Sequence, residues 1–390
     1  MGSEHDGLTA EVAAREVKTR LGALREHLER SGATLYITAD PDNQTYFAGF
    51  RALLYSRPII LVVSERSSLI VPELEASHAE QYAAVDQVFV YGERPESHWT
   101  SHEQALDHAV GGVGADSVVA VDSWQLPLAI SELLTKRGLR LTAVDRFVRE
   151  LRALKSTTEL KAIHAAGAVV NVGVAAAVAA CVPGASELEV DAAGARAIHE
   201  AAGMLGPTTV VETLVMTPSG AARTTLPHVF SSARTLQERD VLIHTRQVAL
   251  NGYRAELERT LIVGAPTPEQ RAAFEVMVDA QDAALEAVCP GVPACEVDAA
   301  ARDVFRRAGL SEYALHRTGH GIGIGAHEHP HLRFDNRDEL RSGMVITIEP
   351  GAYIPGLGGF RHSDTIVVTE RGYELVTSHP RRLDELTRLG

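Results

Sequence analysis

The feature that most constrains the fold is a repeat. The segment Pro183–Ala193, PGASELEVDAA, recurs as PGVPACEVDAA at Pro290–Ala300, 107 residues later. Each copy follows an Ala-rich apolar stretch and leads into a second helical pattern, Ala192–Ala202 in one half and Ala299–Gly309 in the other. Strand-like runs follow each helix pair, Thr208–Met216 and Val241–Thr245 first, then Met344–Glu349 and Thr365–Thr369. A helix–helix–strands unit written twice predicts a duplicated α+β domain with a cleft between its halves. The helix starts are marked locally. Ser156 with Glu159, and Ser186 with Glu189, have capping-box spacing. Thr267-Pro268-Glu269-Gln270 combines a Thr cap with Pro at the first helical position.

The chain ahead of the repeat reads as a separate α/β domain. Leu35–Thr38, Pro58–Ser64, Ser68–Pro72, Gln87–Tyr91 and Val118–Val121 are short β-rich runs, and helical patterns such as Glu11–Ser31 and Trp124–Gly138 lie around and between them. The basic stretch Arg146–Lys155 is expected to form an exposed linker helix. The expected division is residues 1–155 and 156–390.

Composition excludes several function classes. Lys and Arg number 37 against 51 Asp and Glu, a net charge of −14, and aromatic residues are 5%. That balance argues against a nucleic-acid partner. The apolar stretch Ala165–Val182 is mostly Ala, Val and Gly with Asn171 inside, so a buried helix is expected rather than a membrane span. Three cysteines without metal-ligand spacing, and a polar, acidic start, fit a cytoplasmic protein.

The chemistry-bearing residues crowd the C-terminal half. In His316-Arg-Thr-Gly-His320-Gly-Ile-Gly-Ile-Gly-Ala-His327-Glu-His329-Pro, glycines allow close backbone approach and histidines offer proton transfer or metal ligation. His331 and His362 add to the density. Glu349 ends the apolar run Ile346-Thr-Ile and calls for a cationic partner, a metal or a His. In Gly252-Tyr-Arg-Ala-Glu256-Leu-Glu258-Arg259-Thr260, strand alternation puts Glu256 and Glu258 on one face and Arg259 on the other.

GHGIG with HEHP downstream, TIEPG and GGFRHSDT together resemble the pita-bread fold family of methionine aminopeptidases, Xaa-Pro peptidases and creatinase. Asp40-Pro-Asp-Asn-Gln-Thr-Tyr46-Phe-Ala-Gly49-Phe and Leu151-Arg-Ala-Leu-Lys155-Ser156 are similar to the N-terminal domain and linker of its Xaa-Pro and creatinase branch. The resemblance implies an N-terminal α/β domain followed by the duplicated pita-bread domain. The family's peptidases hold two metals on Asp, Asp, His, Glu and Glu, and those positions fall on Thr245, Glu256, His320, Glu349 and Ser363. With Thr245 and Ser363 unable to bridge two ions, the expectation is a metal-independent enzyme with no cofactor.

Ala-Glu256-Leu-Glu258-Arg-Thr is similar to creatinase, and Pro227-His228 falls where creatinase carries its catalytic His. The expected function is hydrolysis of a C–N bond in a small amidine or guanidino carboxylate, of ectoine hydrolase or creatinase type. The catalytic set would be His228, Glu256, Glu258, His320, His327 and Glu349. Glu258 and Glu349 would hold the substrate cation, with Tyr55 and Arg57 reaching from the partner subunit of a homodimer. The first alternative is a metal-dependent Xaa-Pro dipeptidase or aminopeptidase with one ion on Glu256, His320 and Glu349. The second is a catalytically dead module that binds peptides or partner proteins.

Overall fold

The computed structural model describes residues 10–51, 53 and 56–388. The chain divides into two compact units, one up to Arg149 and one from Glu150.

The N-terminal unit is built on a six-stranded sheet in the order Gln87–Tyr91, Ser67–Pro72, Ile60–Val63, Leu35–Thr38, Val118–Val121, Arg140–Ala143. Its central strands carry no polar alternation, because helices cover both faces. Leu35, Ile37, Ile60, Val62, Ile70, Val119 and Val121 enter one apolar core with Ile130 and Leu134 of the helix Leu128–Lys136.

The C-terminal unit has the duplicated plan. A nine-stranded sheet runs Glu328–Leu332, Gly319–Gly321, Val345–Ile348, Ser363–Val368, Tyr253–Val263, Val241–Leu250, Val211–Met216 along its main path. Helix pairs Thr157–Ala180 with Glu187–Gly203, and Pro268–Glu286 with Ala294–Arg307, pack against it. Both Ser capping boxes form, as does one at Thr267 and Gln270. Helix Thr157–Ala180 is long and apolar enough to cross a membrane, yet Ile163, Ala166, Val170, Val174 and Val178 are buried inside the unit.

The repeat has a mechanical use. Its Asp recurs as Asp191 and Asp298, one on the second helix of each pair. Asp191 accepts a hydrogen bond from the Thr217 hydroxyl. Asp298 accepts from the Thr318 hydroxyl at 2.8 Å and the Thr318 N–H at 3.0 Å. Each half thus pins one Thr at the head of the segment that reaches the cleft.

The linker departs from the expected exposed helix. Helix Asp145–Ala153 forms, but Lys155 is buried and Arg152 nearly so, both paired with Glu328. A basic stretch read alone gives no sign of the carboxylate, 173 residues on from Lys155, that draws it inward.

Candidate active site

Two long strands form the floor of the site. Val241–Leu250 pairs antiparallel with Tyr253–Val263, in a register that sets Thr245 opposite Glu258 and Gln247 opposite Glu256. Directly paired residues share a face, so these four side chains face the same cleft. Glu349 follows the strand Val345–Ile348, and its N–H donates to the Thr318 carbonyl at 2.7 Å. His320 sits in the middle of Gly319–Gly321 between two close approaches. A Cβ on Gly319 would lie 1.9 Å from the Thr347 carbonyl oxygen, and one on Gly321 would lie 2.2 Å from that of His329. Glycine at both positions is what lets His320 lie this deep in the sheet.

The cleft has a volume of about 760 Å³, and Thr245, Gln247, Glu256, Glu258, Glu349, Arg361, His316, His327 and His228 are among its lining residues. Three of the expected site residues converge: one donor atom each from Glu256, His320 and Glu349 lies within 4.8 Å of the others. His320 Nδ1 donates to the Gly321 carbonyl at 2.9 Å, which turns Nε2 toward the acids. Burial lowers the His320 pKa, but Glu349 and Glu256 outweigh it and raise it, favouring the protonated ring where no cation lies between them. That Nε2 is buried without a hydrogen-bond partner, 3.2 Å from Glu349 Oε1. Burial, then repulsion from Glu349, pushes the Glu256 carboxyl up. Burial would raise Glu349 as well, but His320 and Arg361 hold it at about 2.

Gln247 fixes Glu256 from one side, its Nε2 donating to Oε2 at 2.5 Å, and the Ser363 hydroxyl donates to Oε1 at 2.8 Å. The convergent Oε, Nε2, Oε set, with a buried orphan nitrogen at its centre, fits one divalent transition metal ion.

The other half of the expected metal site is closed to a second ion. Arg361 forms a two-pronged ion pair with Glu258, one prong being Nη2 to Oε1 at 2.8 Å. Arg361 Nη2 also donates to the Thr245 hydroxyl at 3.1 Å, and Nη1 to the Tyr353 hydroxyl at 2.8 Å. The Tyr353 proton then goes to His316 Nε2 at 2.9 Å, because His316 Nδ1 already donates to the Arg317 carbonyl at 2.7 Å. Burial pushes the Glu258 carboxyl up, Arg361 opposes this, and Glu256 and Glu349 add to the rise. Glu258 is therefore committed to an internal cation and is not free to hold a guanidinium or amidinium substrate as expected.

The remaining expected residues divide. The His327 ring lies 4.0 Å from that of His320, and burial, then His320, lowers its pKa to about 4. His228 is exposed at the rim. His362 is structural: its Nδ1 accepts from the Thr260 N–H at 3.1 Å and its Nε2 meets the Arg381 carbonyl at 3.1 Å. His329 faces Asp338. Arg57 belongs to the N-terminal unit and makes a two-pronged pair with Glu93 there. Tyr55 lies outside the described residues. Arg361, Gln247 and Tyr353 were not singled out as site residues. Gln247 carries the clearest signal, two positions from Thr245 on the same strand face.

Fold and site together define a two-domain chain of the pita-bread kind with a candidate site for one metal ion. Residues 161–370 match Metallopeptidase family M24, and residues 20–154 match the Creatinase/Prolidase N-terminal domain. The chain belongs to Metallopeptidase family M24. It is 34% identical to the probable dipeptidase PepE of Mycobacterium tuberculosis over 98% of each chain. It is 31% identical to the Xaa-Pro dipeptidase of Pyrococcus horikoshii over 92% of this chain and 96% of that one. Among solved structures, dipeptidase PepE from Mycobacterium ulcerans matches with a TM-score of 0.83 and 32% identity, covering 96% of this chain and 99% of the other.

These relatives overturn the expected function. These relatives are dipeptidases, so a metal-independent amidine hydrolase of the metal-free branch is not supported. The Arg361–Glu258 pair gives the physical reason: one of the two carboxylates expected to bind a substrate cation is already neutralised from within.

Proposed function

We propose that this chain is a metal-dependent peptidase acting on Xaa-Pro dipeptides, with one ion per site on Glu256, His320 and Glu349. The observation that carries the reading is His320 Nε2, buried among two carboxylates with no hydrogen-bond partner while Nδ1 is held by the Gly321 carbonyl, so that an ion there would take the place of the Nε2 proton. The similarity to Xaa-Pro dipeptidases supplies the substrate class. A bound ion would supply Lewis-acid polarisation and an acidified water.

The chain's own groups have separate work. Gln247 and Ser363 hold the Glu256 carboxylate in one orientation. Arg361 supplies fixed positive charge where the family's peptidases place a second ion, so two metals are not needed to balance the acids. His228, at the rim, donates a hydrogen bond to the peptide carbonyl oxygen as charge develops there. His327, kept neutral by burial and by His320, accepts a proton or hydrogen bond rather than pairing with an anion. The active form is a homodimer in which Arg57 reaches the partner's cleft. The three free cysteines suit a reducing, cytosolic setting.

The test is hydrolysis of Xaa-Pro dipeptides by metal-loaded protein, with matched peptides lacking proline as controls. Turnover abolished by a chelator and restored by one equivalent of a divalent ion supports the proposal. Metal-loaded protein that cleaves neither peptide set refutes it and favours the binding-module alternative. For the shared site, inactive Arg57→Ala and His228→Ala chains are mixed under subunit exchange, and partial recovery of activity is expected.

A further inference from the structure

We propose that Glu187 is a positioning residue that holds His228 over the cleft, an inference that rests on the role given to His228 above. Glu187 opens the helix Glu187–Gly203, and its side chain is wholly buried. Its Oε1 accepts from the Ser219 N–H at 2.8 Å, the Ser219 hydroxyl at 2.6 Å and Arg223 Nε at 3.2 Å. Its Oε2 accepts from Arg223 Nη2 at 2.9 Å, the Ser232 N–H at 2.7 Å and the Ser232 hydroxyl at 2.8 Å.

Ser219 and Ser232 are the two ends of the segment that carries Pro227 and His228 into the cleft lining. One carboxylate therefore closes that segment at both ends. Between them lie only the short helix Ala221–Thr224 and irregular chain, with Leu226, His228 and Phe230 exposed. Within the segment Thr224 is buried and its hydroxyl accepts from the Gly359 N–H at 3.0 Å. Arg223, itself paired with Glu187, donates through Nη2 to the Phe230 carbonyl at 2.8 Å, so the tie that spans His228 also runs through the Glu187 carboxylate. A second tie lies just outside: the Thr217 N–H donates to the Ser231 hydroxyl at 2.8 Å, and the Thr217 hydroxyl lies between Asp191 and His244 Nδ1. Burial would raise the Glu187 carboxyl, but its bonds from Ser219, Arg223 and Ser232 hold it below the ordinary value, so the clamp is ionised at neutral pH. Six hydrogen bonds on one buried carboxylate exceed what a helix start requires, and Glu189 already completes the cap with Ser186.

The test is a double-mutant cycle on hydrolysis of an alanyl-proline dipeptide, using Glu187→Gln, His228→Ala and the double variant, with amide hydrogen exchange followed over 219–232. Glu187→Gln keeps the shape and removes the charge, and misplacing a catalytic group by an ångström costs on the order of 100-fold. The expected loss in kcat/KM is about 10–100-fold in the wild-type background and under about twofold in the His228→Ala background. Exchange over 219–232 should rise at least about tenfold while the rest of the unit is unchanged. Equal losses in both backgrounds, or a silent Glu187→Gln, would overturn the proposal. Should Glu187→Gln not fold, Ser232→Ala opens one end of the clamp alone and must show the same non-additivity at smaller size. If wild type cleaves no dipeptide, the function reading fails by itself, and unchanged exchange in Glu187→Gln still refutes the clamp.

Discussion

Arg361→Met removes the internal cation of the site and shows what it is worth. Arg361 is 4% exposed and Glu258 2%, and the guanidinium serves Glu258, Thr245 and Tyr353 at once. Methionine fills much of the volume but leaves the Glu258 carboxylate buried beside Glu256 and Glu349. Stranding one partner of a buried pair costs about 3–5 kcal/mol. For a unit of this size roughly 2–4 °C of Tm accompanies each kcal/mol, so a fall of about 6–20 °C is expected in the transition of the C-terminal unit. With Arg361 gone, the folded state holds Glu258 at a raised pKa, so the neutral form is the favoured one. The variant should therefore be most destabilised at neutral pH and should close on wild type as pH falls toward the ordinary carboxyl range. Arg361→Met with Glu258→Leu removes both charges and should recover most of the loss. The assay is thermal and urea unfolding at several pH values. A cost below about 1 kcal/mol for Arg361→Met, or a double variant no better than the single, would refute the reasoning that this pair is a coupled internal substitute for an ion.

Other outcomes follow from the same geometry. Glu328 is held at about 2, because Arg152 and Lys155 overcome the effect of burial; Glu328→Gln should cost about 3 kcal/mol at neutral pH and abolish the loss of stability that wild type shows as pH falls from about 4.5 toward 2. Gln247→Met leaves the Glu256 Oε2 without its donor, and metal retention in chelator competition should weaken about 10–100-fold. Gly321→Ala drives a Cβ into the His329 carbonyl, so unfolding should show a loss of about 2 kcal/mol or more, with metal affinity falling as His320 shifts.

The fold was legible because its signals are local. Capping boxes at Ser156 and Ser186 formed as read, and the repeat announced a duplicated domain whose Asp191 and Asp298 do equivalent work. Strand alternation correctly grouped Glu256 with Glu258 and turned Arg259 away, toward Asp364. What the sequence hid was partnership across distance. Glu258 read as a hand for a substrate cation because nothing near it in the chain reveals Arg361, 103 residues on. Arg152 and Lys155 read as solvated for the same reason. The metal-free expectation weighed Thr245 and Ser363 as lost ligands. It left one ion on Glu256, His320 and Glu349 as the alternative; what the sequence could not show is that His320 Nε2 lies buried among those carboxylates without a hydrogen-bond partner.

The most direct test of the central claim is metal stoichiometry by elemental analysis on protein purified without chelator, with dipeptidase activity measured on the same sample. The account predicts one transition metal ion per chain, lost together with Xaa-Pro dipeptide hydrolysis in His320→Ala. Two ions per chain would contradict the reading of Arg361 as the occupant of the second position. Full dipeptide hydrolysis with no ion bound would contradict the reading of Glu256, His320 and Glu349 as a metal centre.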